Sequence, residues 1–201
     1  MTYQWARDFA LQLIGQYSVA GTPVPVHYNN QADALARIPK LLDDAQMQVA
    51  TTVAPIRHME PLTALRCDEN GAWLVYTLPK DCWQMCSTGL IRYEGETFQR
   101  FHRYHLVGNQ QFAVPKGLSG EVYVEYFRYP RLLGSAPRDA DELDNIPAVQ
   151  MALPYYVASC LVMQEDTFLF SALQTEYQTR LEQLQNRPHT ECCVVEDAYE
   201  S

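Results

Sequence analysis

The sequence predicts an α+β fold in which N-terminal and C-terminal helical segments form one helical bundle that carries an inserted small antiparallel β domain. Two segments with helical apolar periodicity, residues 37–56 and 152–184, bracket a block with the periodicity of strands. Neither helical segment can bury its apolar face without the other, so we expect the two to pack together. The predicted parts are a helical body (residues 1–56 and 134–186), a β-rich insertion (57–133) and an acidic, flexible tail (187–201).

The composition is that of a globular protein, because 47% of the 201 residues are hydrophobic and 19% are charged. This length suits one domain, or one domain with a large insertion, better than two independent domains. Residues 1–8 lack the pattern of an export signal, and no stretch approaches the roughly 18 apolar residues of a membrane span. We therefore expect neither export nor membrane insertion. Six cysteines without an export signal indicate reduced thiols and a cytoplasmic protein.

The net charge of −9 comes from the last third of the chain, where residues 134–201 hold three Lys and Arg against twelve Asp and Glu. The excess is concentrated in RDADELD (138–144) and in the tail after His189. An acidic surface of this kind repels nucleic acid. It could simply keep the protein soluble.

Two helices are predicted before the strands. The first should end near Gly21 and bury one stripe, with smaller residues beside it. The stripe consists of Trp5, Phe9, Leu13 and Tyr17, and Ala6, Ala10 and Ile14 lie beside it. In the second helix, Leu41, Leu42, Ala45, Val49 and Val53 should face inward, and Asp43, Asp44, Gln46 and Gln48 should face outward. Pro39 should start the main run of this helix or kink it.

Four to six short strands are expected in the insertion. Residues 72–78 alternate between two apolar faces, which predicts a strand buried on both sides. Asn70-Gly71 just before it favours a hairpin turn, with residues 62–66 as the partner strand. Residues 97–107 and 121–128 predict two further strands, since turn residues bound each of them.

Helical periodicity returns after the polar loop. Asn145 is the predicted cap of a helix with Pro147 in its first turn, and Pro154 should kink that helix. Residues 164–166 should interrupt the chain before a last helix that ends near residues 187–188. Its apolar stripe consists of Leu169, Leu173, Tyr177, Leu181 and Leu184. The tail that follows should be mobile until a partner binds it.

Three segments, in this order and spacing, resemble the head–tail adaptor (connector) proteins of tailed bacteriophages. They are RIPKLLDDAQMQVATT (37–52), VYTLPKDC (75–82) and ALPYYVASCLVMQED (152–166). The resemblance implies a helical bundle with a β insertion, assembled as a ring of about twelve copies between the portal protein and a tail completion protein. It implies a place at the head–tail junction of the virion after assembly in the bacterial cytoplasm. DNA would pass through the channel without specific binding.

The resemblance also implies partner contacts. The C-terminal segment of such adaptors docks on the portal, which here points to Glu191, Glu196, Asp197 and Glu200. The β insertion should contact neighbouring copies or the tail. The Cys192-Cys193 pair in the same segment is not part of the family pattern.

A zinc site and an enzyme are the chemical alternatives. Their candidate residues are Cys67, Cys82, Cys86, His102 and His105. The C-x2-C spacing of structural zinc sites is missing, and on one strand His102 and His105 would point to opposite faces. A cysteine nucleophile would need an orienting group and an oxyanion hole, and nothing in the sequence supplies them. The sequence also has no phosphate loop, HExxH motif or dinucleotide fingerprint. We therefore expect no catalytic residue, metal or cofactor.

Aromatic residues in the insertion suggest the remaining alternative, a non-enzymatic module that binds a ligand or carbohydrate. The rings are Trp73, Trp83, Tyr93, Phe98, Phe101, Tyr104, Tyr123, Tyr126, Phe127 and Tyr129. Exposure of several rings would favour binding, whereas burial of nearly all would make them ordinary core residues.

Overall fold

The computed structural model describes residues 1–15, 28–67, 71–94, 97–108, 110–117 and 120–186. Its helices are α1 (Tyr3–Leu13), α2 (Tyr28–Thr52), α3 (Pro147–Gln150), α4 (Leu153–Val162) and α5 (Thr167–Gln185). Its strands are β1 (Ile56–Leu62), β2 (Ala64–Cys67), β3 (Trp73–Thr77), β4 (Cys82–Glu94), β5 (Thr97–Phe101), β6 (His105–Leu106), β7 (Gln111–Pro115) and β8 (Glu121–Arg128). The α+β class is confirmed. None of the described helices combines the length and apolarity that crossing a bilayer requires.

Helix α1 begins at a cap, because the backbone N–H of Trp5 donates to the Thr2 hydroxyl. It ends at Leu13, just before Gly15 adopts a positive φ of 73°. The predicted end near Gly21 is therefore wrong, and Tyr17 lies outside the described residues. The buried face consists of Tyr3, Ala6, Ala10 and Leu11, whereas Trp5 and Phe9 are only half-buried. Ala6 and Ala10 are fully buried, and α1 contacts α4.

Helix α2 starts at Tyr28 and continues through Pro39, so this proline does not start the helix. The alternative, that Pro39 kinks the helix, stays a prediction. Leu42, Ala45 and Val49 are fully buried, as the periodicity predicts. The prediction that Gln46 faces outward is wrong, because Gln46 lies four residues after Leu42 and three before Val49, on the same helix face, and is fully buried. Its amide oxygen accepts from the backbone N–H of Asp144, which lies in the chain segment before α3.

Residues from all four longer helices form one hydrophobic cluster, here called the helical core, in which α4 contacts α1, α2 and α5. Its members include Ala6, Leu11, Ile38, Leu42, Val49, Leu153, Val157, Leu173, Tyr177, Leu181 and Leu184. The predicted stripe of α5 is thus confirmed. The predicted break is also confirmed, because Asp166 caps α5 by accepting from the backbone N–H of Leu169 at 2.9 Å.

Pro154 separates two helices and does not kink one. It lies in the first turn of α4, where a missing backbone N–H costs nothing. Pro147 opens α3 as predicted, but the cap residue is Ile146 and not Asn145. Asn145 is only 3% exposed, and its amide donates to the Gln46 carbonyl. Its side chain therefore connects α3 to α2 and does not cap a helix.

The strands form two antiparallel sheets. Sheet I has the order β1-β8-β4-β5, and sheet II has the order β2-β3-β7-β6. One hydrophobic cluster draws on both sheets, here called the β core. Its buried members are Tyr76, Leu90, Phe112, Val114, Val122, Val124 and Tyr126. The described strands number eight, which exceeds the four to six predicted.

Of the strands predicted individually, β3 and β8 are confirmed. Strand β3 pairs with β2, and Gly71 before it has a positive φ, in agreement with the predicted hairpin. Val75 and Tyr76, on opposite faces of β3, are both buried. The single strand predicted over residues 97–107 is wrong, because β5 belongs to sheet I and β6 to sheet II. The intervening residues cross from one sheet to the other.

Candidate functional site

Three aromatic rings meet on the outer face of sheet I, where we call them the aromatic cluster (Tyr93, Phe98 and Tyr123). Tyr93 lies opposite Phe98 in the β4–β5 register, so both side chains project from the same face. The Tyr93 and Phe98 ring centroids are 4.7 Å apart, and the Phe98 and Tyr123 centroids are 6.0 Å apart. Phe98 remains 58% exposed. The cluster therefore leaves a large apolar ring accessible to a partner.

The other aromatic residues of the insertion lie elsewhere. Tyr126 is fully buried in the β core, and Trp83 stacks on Phe127 with centroids 5.8 Å apart. Trp73 contacts the His105 ring on sheet II, with centroids 4.7 Å apart. The ten rings thus do not form one platform, since alternation along each strand sends neighbouring residues to opposite faces.

A band of exposed basic side chains follows β5 and the crossing to sheet II. This basic band consists of Arg100, His102, Arg103 and His105. Residues 97–107 contain no acid. Within the described part of the chain, none of the four band residues takes part in an ion pair. The band is not visible in the net charge of residues 57–133, because the acids elsewhere in that segment balance its arginines.

A pocket of about 400 Å³ opens on sheet II at one end of the basic band. Trp73, Val75, Val107 and Ala113 form its apolar walls, and the polar lining residues are Arg66, Cys67 and His105. An apolar floor with a cation beside it suits an apolar or aromatic group that carries a carboxylate.

The cysteines and histidines considered for zinc or catalysis are not brought together. Cys82 and Cys86 lie on β4, whereas Cys67 and His105 line the pocket on sheet II. Burial raises the pKa of both Cys82 and Cys86, which disfavours the thiolate that a nucleophile or metal ligand requires. Among the described residues, no three His, Cys, Asp or Glu side chains are grouped so that they could hold a metal ion.

The position of His102 differs from the one predicted. It belongs to no strand, because β5 ends at Phe101 and the chain crosses to sheet II before His105. The two histidines therefore do not alternate along one strand as predicted. They lie on the same exposed band.

A polar junction connects sheet I to the helices through Gln46, Arg128 and Asp144. Both terminal nitrogens of Arg128 donate to the Asp144 carboxylate, and the Nη2–Oδ1 distance is 2.8 Å. The backbone N–H of Arg131 donates to the same carboxylate at 2.7 Å. The hydrogen bonds from Arg128 lower the pKa of Asp144. Since Asp144 also donates its backbone N–H to Gln46, the junction spans β8, the segment before α3, and α2.

The acidic segment 138–144 is thus largely structural. Asp139 pairs with Arg7 of α1 at 2.6 Å, and Asp141 pairs with Arg138. Asp144 pairs with Arg128. These acids contribute less free negative surface than the sequence suggested.

A second exposed apolar site lies at the turn between α4 and α5. Phe168, in the first turn of α5, is 85% exposed, and Met163 at the end of α4 is 51% exposed. We call these two residues the helical tip. Such exposure of large apolar side chains is typical of residues that another surface covers.

The predicted portal contacts Glu191, Glu196, Asp197 and Glu200 lie outside the described residues, as do Cys192 and Cys193. Their role stays a prediction. A scan against protein-family models finds no match to this chain, and a search of curated proteins finds none either. The resemblance to phage adaptors therefore stays a prediction from the three sequence segments.

Proposed function

We propose that this chain is a structural, non-enzymatic head–tail adaptor of a tailed phage or prophage. It assembles in the bacterial cytoplasm as an oligomeric ring on the portal protein and receives the tail completion protein. Its place is the head–tail junction of the virion, where DNA passes through the ring without specific binding. The proposal involves no metal, cofactor or membrane.

The two hydrophobic clusters support the arrangement that the proposal needs. The helical core contains residues that precede all the strands in the sequence, such as Leu42, and residues that follow them, such as Tyr177. The buried members of the β core all lie between residues 76 and 126. We interpret residues 1–56 and 134–186 as a bundle and 57–133 as its β insertion. The polar junction would hold the insertion in a fixed orientation, as a regular ring requires.

The observation that carries the proposal is a pair of exposed apolar sites of different composition on one chain. The aromatic cluster exposes Phe98 on sheet I, and the helical tip exposes Phe168 between α4 and α5. A ring subunit needs two different surfaces, because each contact around a ring is heterologous and joins one surface of a copy to a different surface of its neighbour. A third contact, to the portal or tail, needs further surface.

The experiment is co-expression of the chain with the portal protein of its own genome, followed by electron microscopy of the particles in side view. We expect an added layer beneath the portal. Phe168→Ser should weaken that layer, whereas Leu132→Ser, which changes another exposed apolar residue, should leave it intact. A bare portal, with this chain eluting separately as a monomer, would refute the proposal.

The pocket beside Trp73 favours a second candidate function, a ligand-binding module. Its apolar walls and cation suit a small anionic aromatic ligand or a sugar acid. Titration with such compounds should change the fluorescence of the wild-type chain but not of Trp73→Phe. This candidate fails if neither protein responds.

A further inference from the structure

We infer that, in the portal-free chain, the acidic C-terminal segment 187–201 of one copy docks along the basic band of a second copy and adds to the open edge of β5. The inference rests on the proposed function, because it supposes that copies of the chain associate. It names the surface that binds the C-terminal segment 187–201 before the portal protein is present.

Strand β5 offers an open edge. It is the last strand of sheet I, and among the described residues it pairs with β4 on one side only. Four of its five residues are exposed. The free backbone groups of an edge strand pair readily with an extended segment of another chain, and the side chains beside the edge then select that segment.

The side chains around this edge select an acidic segment. Arg100 lies on β5 itself, and His102, Arg103 and His105 follow directly along the crossing to sheet II. The described arginines and lysine of the helices already have carboxylate partners, as in the pairs of Arg37 with Asp33, Lys40 with Asp44 and Arg180 with Glu176. The band therefore carries two arginines, Arg100 and Arg103, that have no carboxylate partner in the described structure.

Segment 187–201 matches this surface in charge and in composition. It holds four acids and one arginine. Its centre, Cys192-Cys193-Val194-Val195, combines apolar and β-branched residues that favour an added strand. The other acidic stretch, 138–144, is already engaged by Arg7, Arg128 and Arg138. The four acids of the C-terminal segment belong to none of these three pairs.

We place the segment on a second copy because the proposed ring brings copies of the chain into contact. The sedimentation experiment distinguishes this arrangement from docking within one copy, since only docking between copies raises the mass of the sedimenting particle.

The test is analytical ultracentrifugation of the full-length chain without portal. Arg100→Glu with Arg103→Glu should weaken self-association by about tenfold or more, and so should Glu196→Lys with Asp197→Lys. The chain that carries all four substitutions should regain most of the association, because the charges are exchanged. Lys80→Glu with Lys116→Glu, and Glu165→Lys with Glu182→Lys, are matched controls at exposed positions and should associate like the wild type.

A wild-type chain that stays monomeric, charge variants that associate normally, or an exchanged chain that stays dissociated would each overturn the inference. Nucleic acid is the competing occupant. If a short DNA duplex bound the wild type but not the Arg100→Glu, Arg103→Glu chain, and self-association were the same in both, the band would be a phosphate-binding site and the inference would fail.

These outcomes separate the inference from the proposed function. A layer beneath the portal without band-dependent association of the free chain would leave the adaptor proposal standing and remove the inference. If the chain with exchanged charges regained its self-association but no layer formed beneath the portal, the inference would stand and the adaptor proposal would be refuted.

Discussion

Replacing Asp144 by Asn should destabilise the protein by loosening the polar junction between sheet I and the helices. The carboxylate accepts from both terminal nitrogens of Arg128 and from the backbone N–H of Arg131. Its side chain is 16% exposed, and that of Arg128 is 13% exposed. Asn keeps the volume and one acceptor oxygen but removes the negative charge. Arg128 is then left mostly buried without a counterion.

The magnitude follows from the bonds that are lost. A hydrogen bond to a charged group is worth about 1.5–3 kcal/mol, and a fully buried ion pair that loses one partner costs about 3–5 kcal/mol. Because the pair keeps some solvent contact and Asn retains one acceptor, we expect a loss of about 2 kcal/mol in the free energy of unfolding. Asp44→Asn is the matched control. Asp44 pairs with Lys40 on the surface of α2, and such exposed pairs contribute about 0.5 kcal/mol or less.

The assay is urea unfolding at pH 7, followed by circular dichroism, for the wild type and both variants. A loss below about 0.5 kcal/mol for Asp144→Asn, or an equal loss for Asp44→Asn, would refute the structural role of the junction. A change in the slope of unfolding with urea would show instead that the variant no longer unfolds in one cooperative step.

The same pair predicts a pH dependence. The folded-state pKa of Asp144 is lowered by Arg128, so its ionised form is favoured in the folded protein. The resulting stability is fully present above the unfolded pKa of about 3.9 and is lost as the pH falls towards the lower folded pKa. The stability difference between wild type and Asp144→Asn should therefore be constant near neutral pH and shrink below about pH 4.

Three further substitutions test local packing by thermal unfolding. Gly89→Ala should cost more than Gly71→Ala, because both have a positive φ near 65° but only the new Cβ at Gly89 would lie 3.2 Å from the Tyr104 hydroxyl. Equal costs would contradict this reason. Ala10→Leu should destabilise by about 1–3 kcal/mol, since Ala10 is fully buried in the helical core. Tyr177→Phe should be neutral or stabilising by up to about 1 kcal/mol, because the buried Tyr177 hydroxyl has no hydrogen-bond partner among the described residues. A loss above about 1 kcal/mol in the free energy of unfolding would indicate that the Tyr177 hydroxyl does make a hydrogen bond.

The elements that could be predicted from the sequence are those whose packing follows one period. The stripe of α5 and the alternation in β8 each repeat at the spacing of the element, so burial on one face is encoded locally. Strand β4 could not be found in this way. Its sequence CWQMCSTGLIRYE mixes polar residues with Gly89, and its pairing with β8 shifts register between Met85 and Leu90. An irregular strand has no single period.

The crossing between the sheets shows a second limit of local pattern. Residues 97–107 alternate like one strand, but the chain leaves sheet I after Phe101 because Tyr104 packs against the β core beside Gly89. The absence of a side chain at Gly89 makes room for that ring. The requirement connects Gly89 on β4 with Tyr104 in the crossing, and the periodicity of neither segment shows it. The aromatic cluster could not be predicted from the sequence for the same reason, since the β4–β5 and β4–β8 registers bring its rings together.

The distribution of charge along the chain explains why segment totals misjudged the surface that a partner meets. Residues 57–133 hold nine Lys and Arg against eight Asp and Glu, which suggests a neutral insertion. The two signs are separated along the chain, however. Residues 97–107 contain no acid, and Glu125 is paired with Arg57 elsewhere on sheet I. Arg100 and Arg103 have no carboxylate partner in the described structure, so the neutral total conceals a locally basic surface. A partner responds to this local excess and not to the sum, because the interaction between charges weakens with distance and is screened by salt.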